Sequence, residues 1–523
     1  MKPIATDTSD FPEMRRDGCI YVDKTAYLHR LITQTGSKRL FLSRPRRFGK
    51  SLMISTLKAL FQGRRDLFEG LAITKTDWAW ETYPVLHFNF GTVSTQSLEA
   101  FDQTFPSVVE DALKAAGFHY DKAEATSTNF KRALENLSAK NDGKGVVILI
   151  DEYDDPVAKS LADIPKAEAI RDRLADFYVQ MKDRTGDIRF LMITGVSKFT
   201  KLSIFSTLSN LVDISFDDEV STMLGYTEEE LDIYFSEHMA AHAEKMGLSQ
   251  ADYRAELKRM YNGYRFGRFN AETVYNPVSI GWTMAKREPV FNANWASTGR
   301  ASALMNYLKR EGMLALDYEN LRGVSDAEFD VSDLAHLKPI GMLFQTGYLT
   351  LKDFNPVLQS YTLGVPDEEV RRDFASLMAG IAADRDASWS KSLGLKLLLS
   401  DFPAFFDGLR ALYAALPYGS GEGRVPEFSY QRCLCFLLAA HGIRYRAEEA
   451  QTDGRVDIVA EHPCGVYLFE LKVDDTAASA LDQVKSKGYD APYRASNRPI
   501  YAIGLAFDSK TRQFVDGAAE QLS

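Results

Sequence analysis

Cysteine is scarce in this sequence, with four residues among 523, at positions 19, 433, 435 and 464. So few and so unevenly spaced thiols cannot form the disulfide framework of a small secreted protein, which favours a reducing, cytoplasmic location. Long apolar runs are also missing, because the most apolar stretch, residues 146–150, is far shorter than the roughly 20 residues that span a bilayer. The first ten residues contain no apolar signal segment, so neither secretion nor a membrane partner is expected.

Basic charge is not in excess, since 62 Lys and Arg residues stand against 72 Asp and Glu residues and give a net charge of −10. This balance excludes a chain that binds polyanions over its whole surface, so any nucleic-acid site must be local. The 45% hydrophobic and 26% charged content is that of an ordinary globular protein. At roughly 150 residues per domain, the length predicts two to four domains.

Short apolar runs alternate with helical stretches over the first two hundred residues, a pattern typical of a parallel sheet covered by helices on both faces. Predicted strands lie at residues 39–43, 84–90, 146–151, 188–196 and 212–216, and predicted helices at 50–61, 98–116 and 156–182. From Thr227 the sequence becomes helical, with a strand pair expected within residues 335–352. A glycine-rich segment, 417–423, is the predicted linker. We therefore expect a core at 1–217, a helical lid and linker region at 218–416, and a small α/β domain at 417–523.

A phosphate-binding loop is indicated directly after the first predicted strand. Nucleoside triphosphates require backbone amides at a helix N-terminus, a Lys that reaches the β- and γ-phosphates, and a hydroxyl group on Mg²⁺. The end of segment 44–51 supplies these groups, although an arginine stands where such loops usually begin with glycine. A basic turn that merely starts a helix is the alternative. The candidate ATP-binding residues of this segment are Arg44, Arg46, Arg47, Phe48, Gly49, Lys50 and Ser51.

The acidic residues of the same nucleotide site are predicted at the end of the strand 146–150, which is followed directly by Asp151 and Glu152. Asp151 and Ser51 are expected to hold Mg²⁺, and Glu152 to orient or deprotonate the attacking water. After the next strand, Ser197 is a candidate sensor beside the γ-phosphate, although serine in this position is also a common helix cap. A strand that merely ends in acids is the structural alternative.

The arginines near the loop suggest a further role. One of them could stabilise charge on the transferred phosphoryl group, either within the chain or across a subunit boundary, which would require a homo-oligomer. A basic loop that holds only phosphate or solvent has equal weight, and the sequence does not identify which arginine would act.

A second cluster lies near the other end of the chain, with Asp457 on one predicted strand and Glu470 and Lys472 on the next. Residues two apart in a strand project from the same face, so Glu470 and Lys472 lie together and Asp457 joins them from its neighbour. Two carboxylates suit a Mg²⁺ ion that also holds a phosphodiester oxygen, and the lysine can position water or steady negative charge. The pattern predicts a metal-dependent nuclease centre, with surface ion pairs as the simpler alternative.

Other polar residues of this last domain are less informative. Glu427, Gln483 and Tyr489 could line the centre, whereas Cys433 and Cys435 lack the spacing of a zinc site and are expected in the core. Residues 416–523 contain 12 basic and 15 acidic side chains. A basic footprint for tight DNA binding is therefore missing from this domain.

Several segments together carry a resemblance to a known family; they are residues 21–25, 42–51, 149–154, 194–199, 261–264, 275–277, 454–457 and 469–472, with Gln483 and Tyr489. The chain resembles the bacterial family in which an AAA-ATPase-like domain is joined to a C-terminal PD-(D/E)xK nuclease-superfamily domain. The resemblance implies an α/β fold: a P-loop NTPase parallel sheet, helical subdomains and a restriction-endonuclease-like domain. It also implies ATP and Mg²⁺ as cofactors, with Asp457 and Glu470 as metal ligands and catalytic residues beside Lys472.

The sequence thus predicts a bacterial ATPase whose nucleotide state governs a Mg²⁺-dependent nuclease domain acting on nucleic acid, with DNA favoured over RNA. The alternative is an ATP-dependent regulatory switch or scaffold whose C-terminal domain binds nucleic acid or protein without cleaving it. The acidic balance of the last domain favours this alternative.

Overall fold

The computed structural model describes residues 1–34, 36–182, 184–198, 210–293, 318–329, 334, 338–382, 387–414, 427–451, 454–511 and 513–522. The chain divides into two compact units, a first unit of Met1–Asn292 with Tyr318–Asp367 and a second unit that includes Glu368–Ser523. The predicted linker 417–423 lies outside the described residues, and the predicted boundaries at 217 and 416 stay predictions.

A five-stranded parallel sheet forms the centre of the first unit. Its strands in chain order are β1 (Arg39–Ser43), β2 (Val85–Asn89), β3 (Val146–Asp151), β4 (Ile188–Gly195) and β5 (Val212–Asp213). They lie in the order β2-β3-β4-β1-β5 and pair in parallel throughout. All six residues of β3 are buried, as expected of a strand inside a parallel α/β sheet. The predicted α/β class is confirmed, and the carboxyl ends of these strands meet at one edge.

Helices pack against this sheet, and one of them differs from the prediction. The helices that precede β5 are Phe11–Arg16, Thr25–Thr33, Lys50–Phe61, Leu98–Ala115, Thr126–Lys140, Asp155–Ala158 and Ile164–Tyr178. The single helix predicted over residues 156–182 is two helices. The second one starts afresh because the Asp163 side chain accepts the Lys166 N–H as an N-cap and a proline occupies the first turn.

A helical part follows the sheet in the first unit, with helices Glu228–Met246, Gln250–Tyr261 and Pro277–Ala285. Its first helix begins at the predicted Thr227, whose side chain forms a capping box with Glu230. Two short strands, β6 (Asn262–Tyr264) and β7 (Val274–Tyr275), pair between the second and third helices.

A three-stranded antiparallel sheet completes the first unit, and it corrects the strand pair expected at residues 335–352. Its strands are β8 (Leu321–Ser325), β9 (Thr350–Asn355) and β10 (Ser360–Gly364), in the order β8-β10-β9. The short helices Asp326–Phe329 and Pro339–Thr346 belong to the same part. The middle of the predicted strand segment is therefore helix, started by a proline in its first turn and ended by Gly347 in the left-handed conformation, and β9 begins only at Thr350.

The second unit contains a mixed sheet. Its strands are β11 (Arg444–Gln451), β12 (Gly454–His462), β13 (Gly465–Val473), β14 (Ile500–Phe507) and β15 (Phe514–Gln521), in that spatial order. Only β13 and β14 pair in parallel, joined by a crossover that contains the helix Ala477–Ser486. The other helices of this unit are Glu368–Ala382, Ala387–Leu398, Phe402–Ala414 and Glu427–Ala440. Within the described ranges, no helix of either unit is long and apolar enough to cross a membrane.

Candidate active sites

The predicted phosphate-binding loop connects β1 to the helix that begins at Lys50. Gly49 caps this helix with a φ of 85°, a left-handed conformation that glycine adopts without steric cost. The first backbone amides of a helix have no partners inside it, and the helix dipole adds partial positive charge at this end. The loop therefore ends in a site suited to an anion, with Ser51 in the first turn.

Lys50 is buried beneath this loop. Its Nζ donates to the carbonyl oxygens of Arg44 at 2.8 Å and Pro45 at 2.9 Å. Burial lowers the pKa of Lys50 to about 8, and the carboxylates of Asp151, Asp154 and Glu152 act in the opposite direction. The structure thus brings the loop lysine and the acids at the end of β3 into one electrostatic environment.

Asp151 is the last residue of β3, and its side chain is held by two hydrogen bonds. Its Oδ1 accepts from Thr194 Oγ1 at 2.7 Å and from the Glu152 N–H at 3.1 Å. Glu152 has a φ of 52°, a conformation uncommon outside glycine. Burial raises the pKa of the Glu152 carboxyl, followed by the charges of Asp155 and Asp151. A carboxyl group with a raised pKa is better suited to accept a proton from water.

Ser197 lies just beyond the end of β4. Its backbone N–H donates to Asp154 Oδ2 at 2.7 Å, and its carbonyl oxygen accepts from the Tyr153 hydroxyl at 2.8 Å. These bonds fix the backbone beside Asp151. The neighbouring Lys198 pairs with Asp213, with 2.9 Å between Nζ and Oδ2.

The other loop residues that were predicted to bind nucleotide have protein partners. Arg44 is 2% exposed, and its guanidinium donates to the carbonyl oxygens of Ser43 and Ser215. Arg46 pairs with Asp155 at 3.3 Å, and the Arg47 guanidinium lies 4.8 Å from the ring centroid of Trp282. Phe48 is buried among aromatic rings. Their contacts with nucleotide stay predictions, and Arg44 has almost no surface on which to make one.

A cleft opens beside Gly49. The side chains that line it are mainly apolar and include Tyr21, Val22, Leu52, Met53, Leu224 and Tyr226. The apolar lining of a cleft next to a phosphate-binding loop is the chemistry that a planar heterocyclic base would contact.

The second cluster lies on β12 and β13 in the second unit. The antiparallel register pairs Ile458 with Phe469, so Asp457 and Glu470 lie opposite each other one step further on. The Asp457 Oδ2 atom accepts the Leu471 N–H at 2.7 Å, and its charge adds to the rise of the Glu470 pKa. The two carboxylates are therefore neighbours, as the spacing predicts.

Glu470 is 2% exposed, and burial raises the pKa of its carboxyl to about 7. Its Oε1 accepts from Lys472 Nζ at 3.1 Å and from the Gln483 side-chain amide. Its Oε2 is buried and has no hydrogen-bond partner among the described residues. Leaving a carboxylate oxygen buried and unbonded is costly. A cation at this oxygen would offset that cost.

The donor set fits Mg²⁺ or Mn²⁺, which take oxygen ligands and usually retain several waters. Two carboxylates suffice for such an ion when water and a phosphate oxygen complete the shell. Within the described residues, no group of three or more His, Cys, Asp or Glu side chains is placed to hold a metal ion. A metal site whose ligands all come from the protein is therefore not indicated in this part of the chain.

Only some of the other residues predicted to line this cluster contact it. Gln483 joins the cluster through Lys472, whereas the Tyr489 hydroxyl donates to the Arg455 carbonyl oxygen at 3.0 Å. Cys433 and Cys435 are buried with pKa values raised to about 12 by burial, as expected of core thiols. The side chain of Glu427 lies outside the described part of the chain.

Two groups of contacts could not be inferred from the motifs. Asp154 accepts the N–H groups of Val196 and Ser197, and the loop side chains pack on Tyr264 and Phe266. The first had a weak signal, an aspartate three residues after Asp151. The second had only an aromatic, turn-rich stretch, which by itself indicates no partner.

Two family models and a relative match the chain. Residues 3–205 match a family model described as a predicted AAA-ATPase, and residues 425–517 match the PD-(D/E)XK nuclease superfamily. A relative from Azotobacter chroococcum mcd 1, described as an uncharacterized protein in the vnfD 5′ region, is 33% identical over 532 residues and is matched over 99% of each chain. These matches confirm the resemblance carried by the sequence segments.

Proposed function

We propose, from the premise that the chain belongs to the AAA-ATPase-like family and carries a domain of the PD-(D/E)XK nuclease superfamily, that it couples ATP hydrolysis to metal-dependent cleavage of nucleic acid. DNA is the favoured substrate over RNA. The single observation that supports the proposal most is that both clusters converge: Lys50 with Asp151 and Glu152, and Asp457 with Glu470 and Lys472.

In the first unit, ATP would lie along the loop, with its base in the cleft beside Gly49 and its phosphates at the helix N-terminus. Lys50 would exchange the carbonyl oxygens of Arg44 and Pro45 for phosphate oxygens. Ser51 and Asp151 would hold Mg²⁺, and Glu152 would take the proton of the attacking water. Bound Mg²⁺ would neutralise charge on the β- and γ-phosphates.

In the second unit, Asp457 and the unbonded Oε2 of Glu470 would hold the metal that polarises a phosphodiester oxygen. Lys472 lies 3.1 Å from Glu470 and can orient the attacking water or stabilise charge on the phosphorus oxygens. Ionisation of Glu470 must accompany metal binding, because a protonated carboxyl is a poor ligand.

One assay of the full chain tests both halves. ATP hydrolysis and cleavage of labelled single- and double-stranded DNA and RNA would be measured with Mg²⁺, with and without ATP. Lys50→Met should abolish ATP binding, and Lys472→Met should abolish cleavage while leaving ATP hydrolysis intact. Lys58→Met and Lys487→Met remove charges outside the two clusters and serve as matched controls.

Each half can fail separately. Unchanged ATP affinity in Lys50→Met would reject the nucleotide site, and cleavage at the wild-type rate in Lys472→Met would reject the nuclease centre.

The second candidate function is a nucleotide-dependent switch or scaffold whose last domain binds nucleic acid or protein without cutting. Two observations favour it. Lys472 and Gln483 donate hydrogen bonds to Glu470 and are bonded to each other. The Glu470 carboxyl also has a pKa of about 7, which leaves it half protonated at neutral pH. Nucleic-acid binding without cleavage, at saturating Mn²⁺ and pH 8, would support this second function.

A further inference from the structure

Arg44 occupies an unusual place for the first residue of a phosphate-binding loop. Its guanidinium donates to the carbonyl oxygens of Ser43 at 2.9 Å and Ser215 at 2.6 Å. It also lies 4.2 Å from the ring centroid of Phe266. The partners of this buried cation are therefore carbonyl oxygens and the face of an aromatic ring.

Phe48, near the other end of the loop, packs on the same segment. Its ring centroid lies 4.7 Å from that of Tyr264 and 5.1 Å from that of Phe266, both in edge-on geometry. The loop is thus held at both ends by the side chains of Tyr264 and Phe266. Edge-to-face ring pairs add stabilisation beyond the area they bury.

The supporting segment is itself fixed from its far side. The Tyr264 hydroxyl donates to the Gly347 carbonyl oxygen at 2.9 Å, and the Arg265 N–H donates to Thr350 Oγ1 at 2.8 Å. The Arg265 guanidinium donates to the Lys352 carbonyl oxygen at 2.9 Å. Residues 264–266 therefore connect the loop to the sheet formed by β8, β9 and β10.

Arg44 also touches the lysine of the loop through its backbone. Its carbonyl oxygen accepts a hydrogen bond from Lys50 Nζ at 2.8 Å, and the next carbonyl oxygen, that of Pro45, accepts another at 2.9 Å. The position of Arg44 therefore helps to set where the Lys50 ammonium lies. Burying a guanidinium is costly, and the ring face and carbonyl oxygens must hold it in one geometry to offset that cost. If the ring is lost, we expect Arg44 and its carbonyl oxygen to shift, and Lys50 with them.

We propose that Phe266 is a positioning residue for nucleotide binding, which sets the geometry of the phosphate-binding loop through Arg44 and Phe48. The inference rests on the proposed ATP-binding function of this loop. The residue acts on the part of the nucleotide that the loop contacts, the β- and γ-phosphates, and is not itself among the residues that line the base cleft.

The test compares two variants of Phe266. Phe266→Leu keeps an apolar side chain but removes the aromatic ring face, whereas Phe266→Tyr keeps the ring face. A small cavity borders Arg44 and Phe266, and an unchanged melting temperature of Phe266→Tyr would show that the added hydroxyl group is accommodated. Phe269→Leu is the matched control, because Phe269 is three residues away and 67% exposed. Affinities for ATP, ADP and AMP would be measured by titration calorimetry on the full chain, with melting temperatures recorded in parallel.

Phe266→Leu should weaken ATP and ADP binding about tenfold and change AMP binding less than twofold, because AMP does not reach the β- and γ-phosphate positions. Phe266→Tyr and Phe269→Leu should bind all three nucleotides as the wild type does. Equal losses for ATP and AMP, or a loss in Phe266→Tyr as large as in Phe266→Leu, would overturn the inference and leave a purely structural role.

A double-mutant cycle tests whether Phe266 acts through Arg44. It also keeps the inference testable if Phe266→Leu folds poorly, because Arg44→Gln is measured separately. Arg44→Gln alone should show the same loss of ATP and ADP affinity, and the double variant should bind no more weakly than the weaker single variant. Additive losses would overturn the inference. If the wild type binds no ATP, the proposed function fails instead, so the two failures are distinguishable.

Discussion

The ammonium group of Lys472 donates a hydrogen bond to Gln483, with 2.7 Å between Nζ and Oε1. The Gln483 amide in turn donates to Glu470, which also accepts from Lys472. Three side chains from β13 and the following helix therefore form a closed ring. We predict that Gln483→Leu lowers the rate of cleavage by about ten- to a hundredfold, because the lysine loses its orientation. Single-turnover cleavage at saturating metal measures this effect.

The matched control for this change is Asp482→Asn, which alters an exposed neighbour on the same helix. This control should cut at the wild-type rate, and both variants should hydrolyse ATP normally. Wild-type cleavage by Gln483→Leu would contradict a role for this amide in orienting Lys472.

Metal binding by the second unit should depend on both carboxylates. We predict that Asp457→Asn and Glu470→Gln each weaken Mn²⁺ binding at least tenfold, because each removes one of two charged ligands and the Glu470 Oε2 has no other partner among the described residues. Titration calorimetry or Mn²⁺ electron paramagnetic resonance measures the affinity. Asp516→Asn, a change at an exposed acid of β15, is the control. An unchanged affinity in Glu470→Gln would exclude this residue as a ligand.

Cleavage should rise with pH. Burial, and then the charge of Asp457, raises the pKa of the Glu470 carboxyl to about 7, and the metal requires the ionised form. We predict that metal affinity and cleavage increase from pH 5.5 through pH 7 and level off above about pH 8. Metal-dependent cleavage measured across this range reports the change. A flat profile at subsaturating metal would contradict the prediction.

Stability without metal should change with pH in the opposite direction. The folded protein keeps the Glu470 proton to a higher pH than the unfolded chain does. The stabilising contribution is therefore complete below the ordinary pKa of 4.5 and is lost as pH rises through about 7. Glu470→Gln cannot ionise, so we predict that it is more stable than the wild type at pH 8 in a chelator, by on the order of 2 kcal/mol. Thermal unfolding at pH 5 and pH 8 would measure the difference, which should shrink at pH 5.

A substitution at Gly91 should slow ATP hydrolysis without weakening ATP binding. A methyl group on this residue would overlap the Glu152 carboxylate. We predict that Gly91→Ala displaces Glu152 and lowers the rate of ATP hydrolysis about a hundredfold with little change in ATP affinity. Gly186→Ala is the control, because a methyl group there meets no neighbour within 4 Å. A normal hydrolysis rate in Gly91→Ala would argue against Glu152 as the proton acceptor.

The sequence predicted those parts of the sites in which local spacing fixes geometry. Glu470 and Lys472 share a face because strand side chains alternate, and Lys50 follows its loop at a helix start. Asp151 reached the same edge as the loop because parallel strands end together. These relations need no knowledge of distant contacts.

The parts that were missed depend on contacts between distant segments. Phe266 reaches Arg44 across more than two hundred residues, and no periodicity reports such a meeting. The helix Pro339–Thr346 was predicted as part of a strand pair, since a short apolar run fits helix or strand equally well. Conversely, β15 lies at an edge and carries few apolar residues, so its sequence gave little sign of a strand.

The four thiols differ greatly in exposure, and this difference has a practical use. Cys433 and Cys435 are buried, with pKa values raised to about 12, so they should resist alkylation at neutral pH. Cys464 is exposed in the turn between β12 and β13, and Cys19 is partly exposed in the other unit. The natural chain thus offers one dye attachment point in each unit. Energy transfer between dyes at these two positions would test whether nucleotide changes the distance between them.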